Sequence, residues 1–187
     1  YDSIHKKTQD ILIRLKLNGY NNVTVLATPW IMRKNFIPLI PHRNFKPIDV
    51  SLNNLCSKLK YSLNRIDTDK LNEYFSHSDK GTILIGGAGL LAKDLVENNK
   101  IINSHPAFLP YVRGLDALKW AIYNDEKIGV TSHIISVECD AGKLIKRELV
   151  PLYSWDTFHS IAYRQYELEI DLLVSSILDI KKAELNE

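Results

Sequence analysis

The stretch "GTILIGGAGLLAKDLVENNKIINSH", residues 81–105, decides the fold. An apolar run at 81–89 ends in a glycine-rich turn, which reads as a buried strand entering a tight bend. "LLAKDLVEN", 90–98, has the length and residue mix of a short helix. "KIINSH", 100–105, is a second apolar strand. Strand, helix and strand in about 25 residues make a βαβ unit, and the elements around it continue the alternation. Upstream, 3–18 is helical with Gly19 as its stop, and "VTVLATP", 23–29, is a strand ended by proline. Residues 30–50 form a long connection. A helix capped by Ser51 covers 51–59, a strand 61–66 and a helix 67–77. Downstream, 115–124 is helical, with Leu115, Leu118, Ala121 and Ile122 on one face. Strands follow at 129–137 and 143–152, and a long amphipathic helix runs over 154–181 with Ile161, Leu168, Leu172 and Leu178 as core candidates.

The expected architecture is therefore α/β: a Rossmann-like, mostly parallel sheet, an antiparallel edge hairpin from the last two strands, and a long C-terminal helix. A chain of 187 residues with 45% hydrophobic content is read as a single domain over 1–187. The order opens on a helix where βαβ architecture opens on a central strand, and the only methionine is Met32. An N-terminal strand is thus expected to be missing from the sequence.

Composition narrows the function classes. The net charge is +2 with 25% charged residues and no basic block, so no nucleic-acid footprint is expected. The longest nearly apolar run, Thr82–Ala92, is too short to cross a bilayer, and no membrane partner is expected. The two cysteines, Cys56 and Cys139, stand far apart, which makes a reducing cytoplasm the default location. The His, Cys and Asp residues lack ligand spacing, so no metal is expected. The C-terminal helix could pack against a second copy.

The chemistry concentrates where strand 100–105 ends. Strand alternation points Asn103 and His105 the same way and Ser104 the other. Pro106 keeps His105 out of helical geometry, and Pro110 and Gly114 shape a stiff loop. An amide donor beside an imidazole can hold an oxyanion while a proton moves. Asp140, in the turn "CDAG" at 139–142, offers an orienting acid. Taken singly, an Asn-x-His pair is as a rule structural and an Asp in a β-turn is a turn residue. Together, at strand ends of an α/β pattern, they tip the reading slightly towards a site.

"NSHPAFLPYVRG" followed by "GVTSHIISVECDAGKLI" resembles the formyltransferase superfamily. That family has Asn-x-His-Pro-x-x-Leu-Pro, then a basic residue and glycine, then a Gly-Val-Thr strand and Asp-x-Gly. The resemblance implies that Asn103, His105 and Asp140 form the catalytic constellation and that the cosubstrate is N10-formyltetrahydrofolate. Asn103 and a protonated His105 would hold the oxyanion. Asp140 would favour the charged imidazole or take the amine's proton. The folate pocket would come from Gly86, Gly87, Ala88, Gly89, Leu90 and Leu91 and from Val137, Glu138 and Cys139. A tight strand-to-helix turn explains the same glycines equally well. His133 is read as a core or edge residue more than a site residue, Arg113 as either a phosphate contact or a loop brace, and Cys139 as packing. The loop "LPYVRG" looks closest to sugar N-formyltransferases. A small-molecule amine on a nucleotide-linked sugar is therefore the expected acceptor. The alternatives are phosphoribosylglycinamide formyltransferase, a formyltetrahydrofolate hydrolase, and a non-catalytic folate-binding domain.

Overall fold

A computed structural model describes residues 1–30, 37–40, 42, 46–77 and 81–185. Residues 31–36, 41 and 43–45 of the connection expected at 30–50 lie outside these residues. Helix α1 (Lys6–Leu17) starts at His5, whose imidazole accepts from the Thr8 amide, and buries Ile11, Leu12 and Leu15 at helical spacing. Strand β1 (Thr24–Ala27) follows. Helix α2 (Leu52–Leu59) carries the expected Ser51 cap, with the Asn54 amide donating to Ser51 Oγ at 3.3 Å. Strand β2 (Ser62–Arg65), a 3₁₀ turn at Thr68–Lys70 and helix α3 (Leu71–Ser76) come next. Then come β3 (Ile83–Leu84), α4 (Lys93–Glu97), β4 (Ile101–His105) and α5 (Ala117–Tyr123). Strands β5 (Gly129–Ile135) and β6 (Gly142–Leu149) and helix α6 (Phe158–Leu185) complete the order.

The strands form two sheets, β1–β2 and β3–β4–β5–β6. Pairing is parallel in β1–β2 and β3–β4. It turns antiparallel at β4–β5, one strand earlier than the sequence pattern predicts, and stays antiparallel at β5–β6. The cause is the short α5. The loop after His105 and seven helical residues return the chain to the end of the sheet it left, so Thr131 lies opposite His105. Opposite the Ser132–His133 step, β6 carries one extra residue, Ile145, as a bulge.

Helix α6 covers one face of the four-stranded sheet. Ile170, Leu173, Val174 and Ile177 join Ile102, Ile11, Leu12 and Leu15 in the main core. The Ser176 hydroxyl donates to Ser132 Oγ at 2.6 Å, which ties the helix to β5 through two fully buried serines. Leu178, expected in this core, is half exposed, because Ile177 takes the inward position. Likewise α5 buries Ala117, Leu118 and Ala121 while Leu115 and Ile122 face outward. No helix among the described residues is long and apolar enough to cross a membrane.

Gly142 makes the β5–β6 connection feasible. Its φ is +125°, and a Cβ there would meet the Ile134 carbonyl oxygen at 2.2 Å. Gly142→Ala should therefore destabilise the fold by about 1–3 kcal/mol. An unchanged urea-unfolding midpoint would count against this account of the hairpin.

Candidate active site

Asn103, His105, Thr131 and His133 lie on the sheet face opposite α6. Alternation along β4 and the antiparallel register place His133 directly across from Asn103, and Thr131 across from His105. By that register β5 runs away from His105, and Ile135 leaves at the far end of β4. The connection at 136–141 nevertheless returns over this face. Asp140 Oδ1 lies 3.3 Å from His105 Nδ1, and Asp140 Oδ2 accepts the Gly114 amide at 2.7 Å. Asp140 adopts a φ of +48°, a left-handed conformation that aspartate tolerates better than most residues. The Cys139 thiol also donates to Asp140 Oδ2, at 3.4 Å.

The loop after His105 is pinned along its length. Gln165 of α6, 4% exposed, donates from Nε2 to the Pro106 and Gly129 carbonyls at 2.9 and 3.0 Å. The Thr131 hydroxyl donates to the Ala107 carbonyl at 2.7 Å and accepts the Leu109 amide at 3.0 Å. Arg147 Nη1 donates to the Leu109 carbonyl at 2.6 Å. The side chains that stiffen the loop thus come from β5, β6 and α6 as well as from its own prolines. Gln165 escapes a reading by strand-end motifs because it sits on a helix 60 residues downstream. The one available signal is a glutamine at an otherwise apolar inward position.

His105 is 6% exposed, and its Nε2 is buried without a hydrogen-bond partner among the described residues. Burial holds its pKa below the ordinary value. The Asp140 charge works in the opposite direction, while His133 and Lys7 add to the depression. Desolvation opposes charge on this ring more than Asp140 and the nearby Val112 main chain support it, which favours a neutral imidazole at rest. His133, 2% exposed, is likewise lowered by burial with Asp140 opposing. Neither ring nitrogen reaches hydrogen-bond geometry, although the Ala141 main chain lies close by. His133 therefore belongs to the face of the site, where the sequence alone favours a bland core or edge role.

The two stretches expected to cradle a folate flank β4, one after β3 and one in the β5–β6 connection. Leu91 packs in the same cluster as Ile101 and Ile135. Leu90 is 90% exposed and Val137 54%, and a Cβ on Gly89 would meet nothing within 4 Å. Exposed apolar groups and open backbone suit a flat ring. Gly87 has a separate cause: its φ is +117°, and a Cβ would come within 2.7 Å of His5 Cε1. Arg113 is exposed, and the tie to the loop end falls on the Gly114 amide beside it.

A second hollow, about 390 Å³, opens beside Pro106 between α1, α5 and α6. Among its lining residues are Lys6, Lys7, Lys119, Phe158, Tyr166 and Glu169. Lys7 pairs with the buried Glu169 at 2.5 Å and Lys119 with Asp116 at 2.7 Å.

Residues 54–177 match the family model described as formyl transferase. The chain is 32% identical over 80 residues to the dTDP-4-amino-4,6-dideoxyglucose formyltransferase of Mycobacterium bovis, covering 43% of this chain and 34% of that protein. It is 33% identical over 106 residues to the methionyl-tRNA formyltransferase of Fusobacterium nucleatum, covering 55% and 34%. The chain thus spans about a third of the length of these curated relatives. Among solved structures, phosphoribosylglycinamide formyltransferase from Bacillus halodurans shares the fold, with a TM-score of 0.67 at 16% identity over 94% of this chain and 90% of that one. A sugar N-formyltransferase from Shewanella sp. FDAARGOS_354 matches at a TM-score of 0.53 and 25% identity, covering 67% and 53%.

The buried histidines make stability depend on pH in one direction. Their folded-state pKa values lie below the unfolded value of about 6.5, so the unfolded chain binds more protons in the window beneath it. Stability should be constant above that value with respect to these groups and should fall as pH drops through it. Urea unfolding at pH 7.5 and 5.5 measures the loss. His133→Gln should reduce it, and an equal loss in that variant would remove His133 from the account.

Proposed function

The chain belongs to the formyl transferase family, and from that premise we propose that it moves a formyl group from N10-formyltetrahydrofolate to a primary amine on a nucleotide-linked sugar. Asn103 and His105 act on the formyl group, and Asp140 positions the imidazole. The observation that carries this reading is the His105 ring. Its Nδ1 faces Asp140 at 3.3 Å, its buried Nε2 has no hydrogen-bond partner among the described residues, and the side chain shares a sheet face with Asn103.

The folate supplies an activated formyl carbon and a leaving nitrogen. As the acceptor nitrogen bonds to that carbon, the Asn103 amide donates to the oxygen on which negative charge develops. With Nδ1–H directed at Asp140, His105 Nε2 holds a lone pair and takes the proton released by the amine. Asp140 stabilises the imidazolium so formed, which returns the proton to the leaving nitrogen as its bond to carbon breaks. One C–N bond forms, one breaks, and the proton count closes. Leu90, Leu91, Val137 and the main chain at Gly86–Gly89 and Glu138–Cys139 would hold the folate ring.

The acceptor class has two supports. One is the printed activity of the 32%-identical mycobacterial relative. The other is the hollow beside Pro106, which falls within the usual volume range of small-molecule sites. Three lysines line it, each paired with a carboxylate: Lys6 with Asp10, Lys7 with Glu169 and Lys119 with Asp116.

Incubating the protein with the formyl donor and a panel of nucleotide-linked amino sugars beside glycinamide ribonucleotide, and following donor absorbance, tests the reading. A sugar should be formylated, and Asn103→Ala and His105→Ala should each lower kcat roughly 10²-fold with the fold retained. Formylation of glycinamide ribonucleotide alone would replace the acceptor class. Donor loss without an amine would indicate hydrolysis. Donor binding without turnover would leave a folate-binding domain. Near-normal turnover in His105→Ala would sink the catalytic assignment.

A further inference from the structure

Arg147 stands in a row with His105. Across β4–β5 His105 faces Thr131, and across β5–β6 Thr131 faces Arg147, all on the sheet face opposite α6. Two strand spacings, about 10 Å, separate the ends of the row. The neighbouring Lys146 turns the other way and donates to Ser175 of α6 at 2.6 Å. Arg147 is exposed on the edge strand, and among the described residues it pairs with no carboxylate. Its contacts go to the loop instead.

That loop crosses the row at Leu109, four residues past His105 and five before Gly114, whose amide holds Asp140. The row engages both main-chain groups of Leu109. Its amide donates to Thr131 Oγ1 at 3.0 Å, and its carbonyl accepts from Arg147 Nη1 at 2.6 Å. The preceding residue, Phe108, lies on Gly129, where a Cβ would come within 2.8 Å of the ring and 2.5 Å of the Glu148 carbonyl oxygen. The Arg147 guanidinium covers that ring from 4.5 Å. One planar cation thus makes a directional bond and a stacking contact to consecutive loop residues, which lysine reproduces only in part. Lys127 approaches the Phe108 ring at 5.7 Å and the Tyr111 ring at 5.2 Å. Among the described residues it makes no hydrogen bond to the loop.

We propose that Arg147 is a positioning residue for the reaction: by clamping Phe108 and Leu109 against β5, it fixes the loop midway between His105 and the Gly114 anchor of Asp140. The orientation of the imidazole towards Asp140 then depends on a side chain two strands away. The inference rests on the reading of His105 as the proton carrier, and one of its two readouts needs no turnover.

Three variants test it. Arg147→Met removes the donor and the charge and keeps an apolar stem. Arg147→Lys restores a donor. Lys127→Met removes a charge from the same ring and leaves the Leu109 bond intact. The imidazole ¹⁵N resonances of His105 are read by NMR at pH 7.5, assigned by their absence in His105→Ala, and formyl transfer is followed as kcat and KM. Arg147→Met should move the His105 resonances and lower kcat about tenfold or more, with the KM for the formyl donor nearly unchanged. Arg147→Lys should recover kcat to within about threefold of the native chain. Lys127→Met should match the native chain in both readouts. His105 resonances that stay in place in Arg147→Met, or that move equally in Lys127→Met, would overturn the proposal. So would a loss of kcat that Arg147→Lys shares in full. Displaced resonances in Arg147→Met, with normal turnover in His105→Ala, would uphold the clamp and sink the reading of His105.

Discussion

The Asp140 carboxylate is the constraint on which the site depends. One oxygen faces the His105 imidazole at 3.3 Å and the other holds the Gly114 amide at 2.7 Å. These two contacts join the end of the loop that begins at Pro106 to the connection between β5 and β6. Neither segment is placed by the sheet register, since β5 leaves His105 behind as it runs. Gly142, at a φ no side chain favours, is where the returning connection rejoins the ladder. The Asp140 carboxylate thus sets the position of the His105 imidazole.

The same carboxylate decides how the imidazole is poised. Burial disfavours the charged form of His105, because desolvation opposes the imidazolium. Asp140 opposes that depression and stands where an imidazolium would need a partner. A group neutral at rest and supported when charged is suited to receive and return one proton. The buried His133 beside it adds a second imidazole that disfavours a resting charge on His105. Gln165, Thr131 and Arg147 hold the loop to helix and sheet.

Much of this was legible in the sequence, because hydrophobic periodicity and turn residues are local signals. The βαβ unit at 81–105, the Ser51 cap, the edge hairpin and the shared orientation of Asn103 and His105 all follow from spacing alone. The antiparallel turn at β4–β5 did not, because strand polarity depends on where a seven-residue helix returns the chain. Leu115, Ile122 and Leu178 fit an apolar stripe yet face outward, since tertiary neighbours decide which edge of a stripe is covered. His133 and Gln165 were under-read for a related reason. Their partners, Asn103 across a ladder and Pro106 across a helix–sheet interface, are distant in sequence. The burial of His105, which opposes charge on its ring, is not legible from the motif because it depends on where the loop lies.

The central claim is that a neutral His105, held by Asp140, carries the proton during formyl transfer. The single-turnover rate of formyl transfer between pH 5.5 and 8, for the native chain and for Asp140→Asn, tests it most directly. In the native chain the rate should rise with pH and level off, with a midpoint below the ordinary histidine value of about 6.5. In Asp140→Asn it should be slower throughout, with the midpoint displaced further down. A native rate that falls as pH rises from 5.5 to 7.5 would mean that a resting imidazolium is required, and would contradict the account.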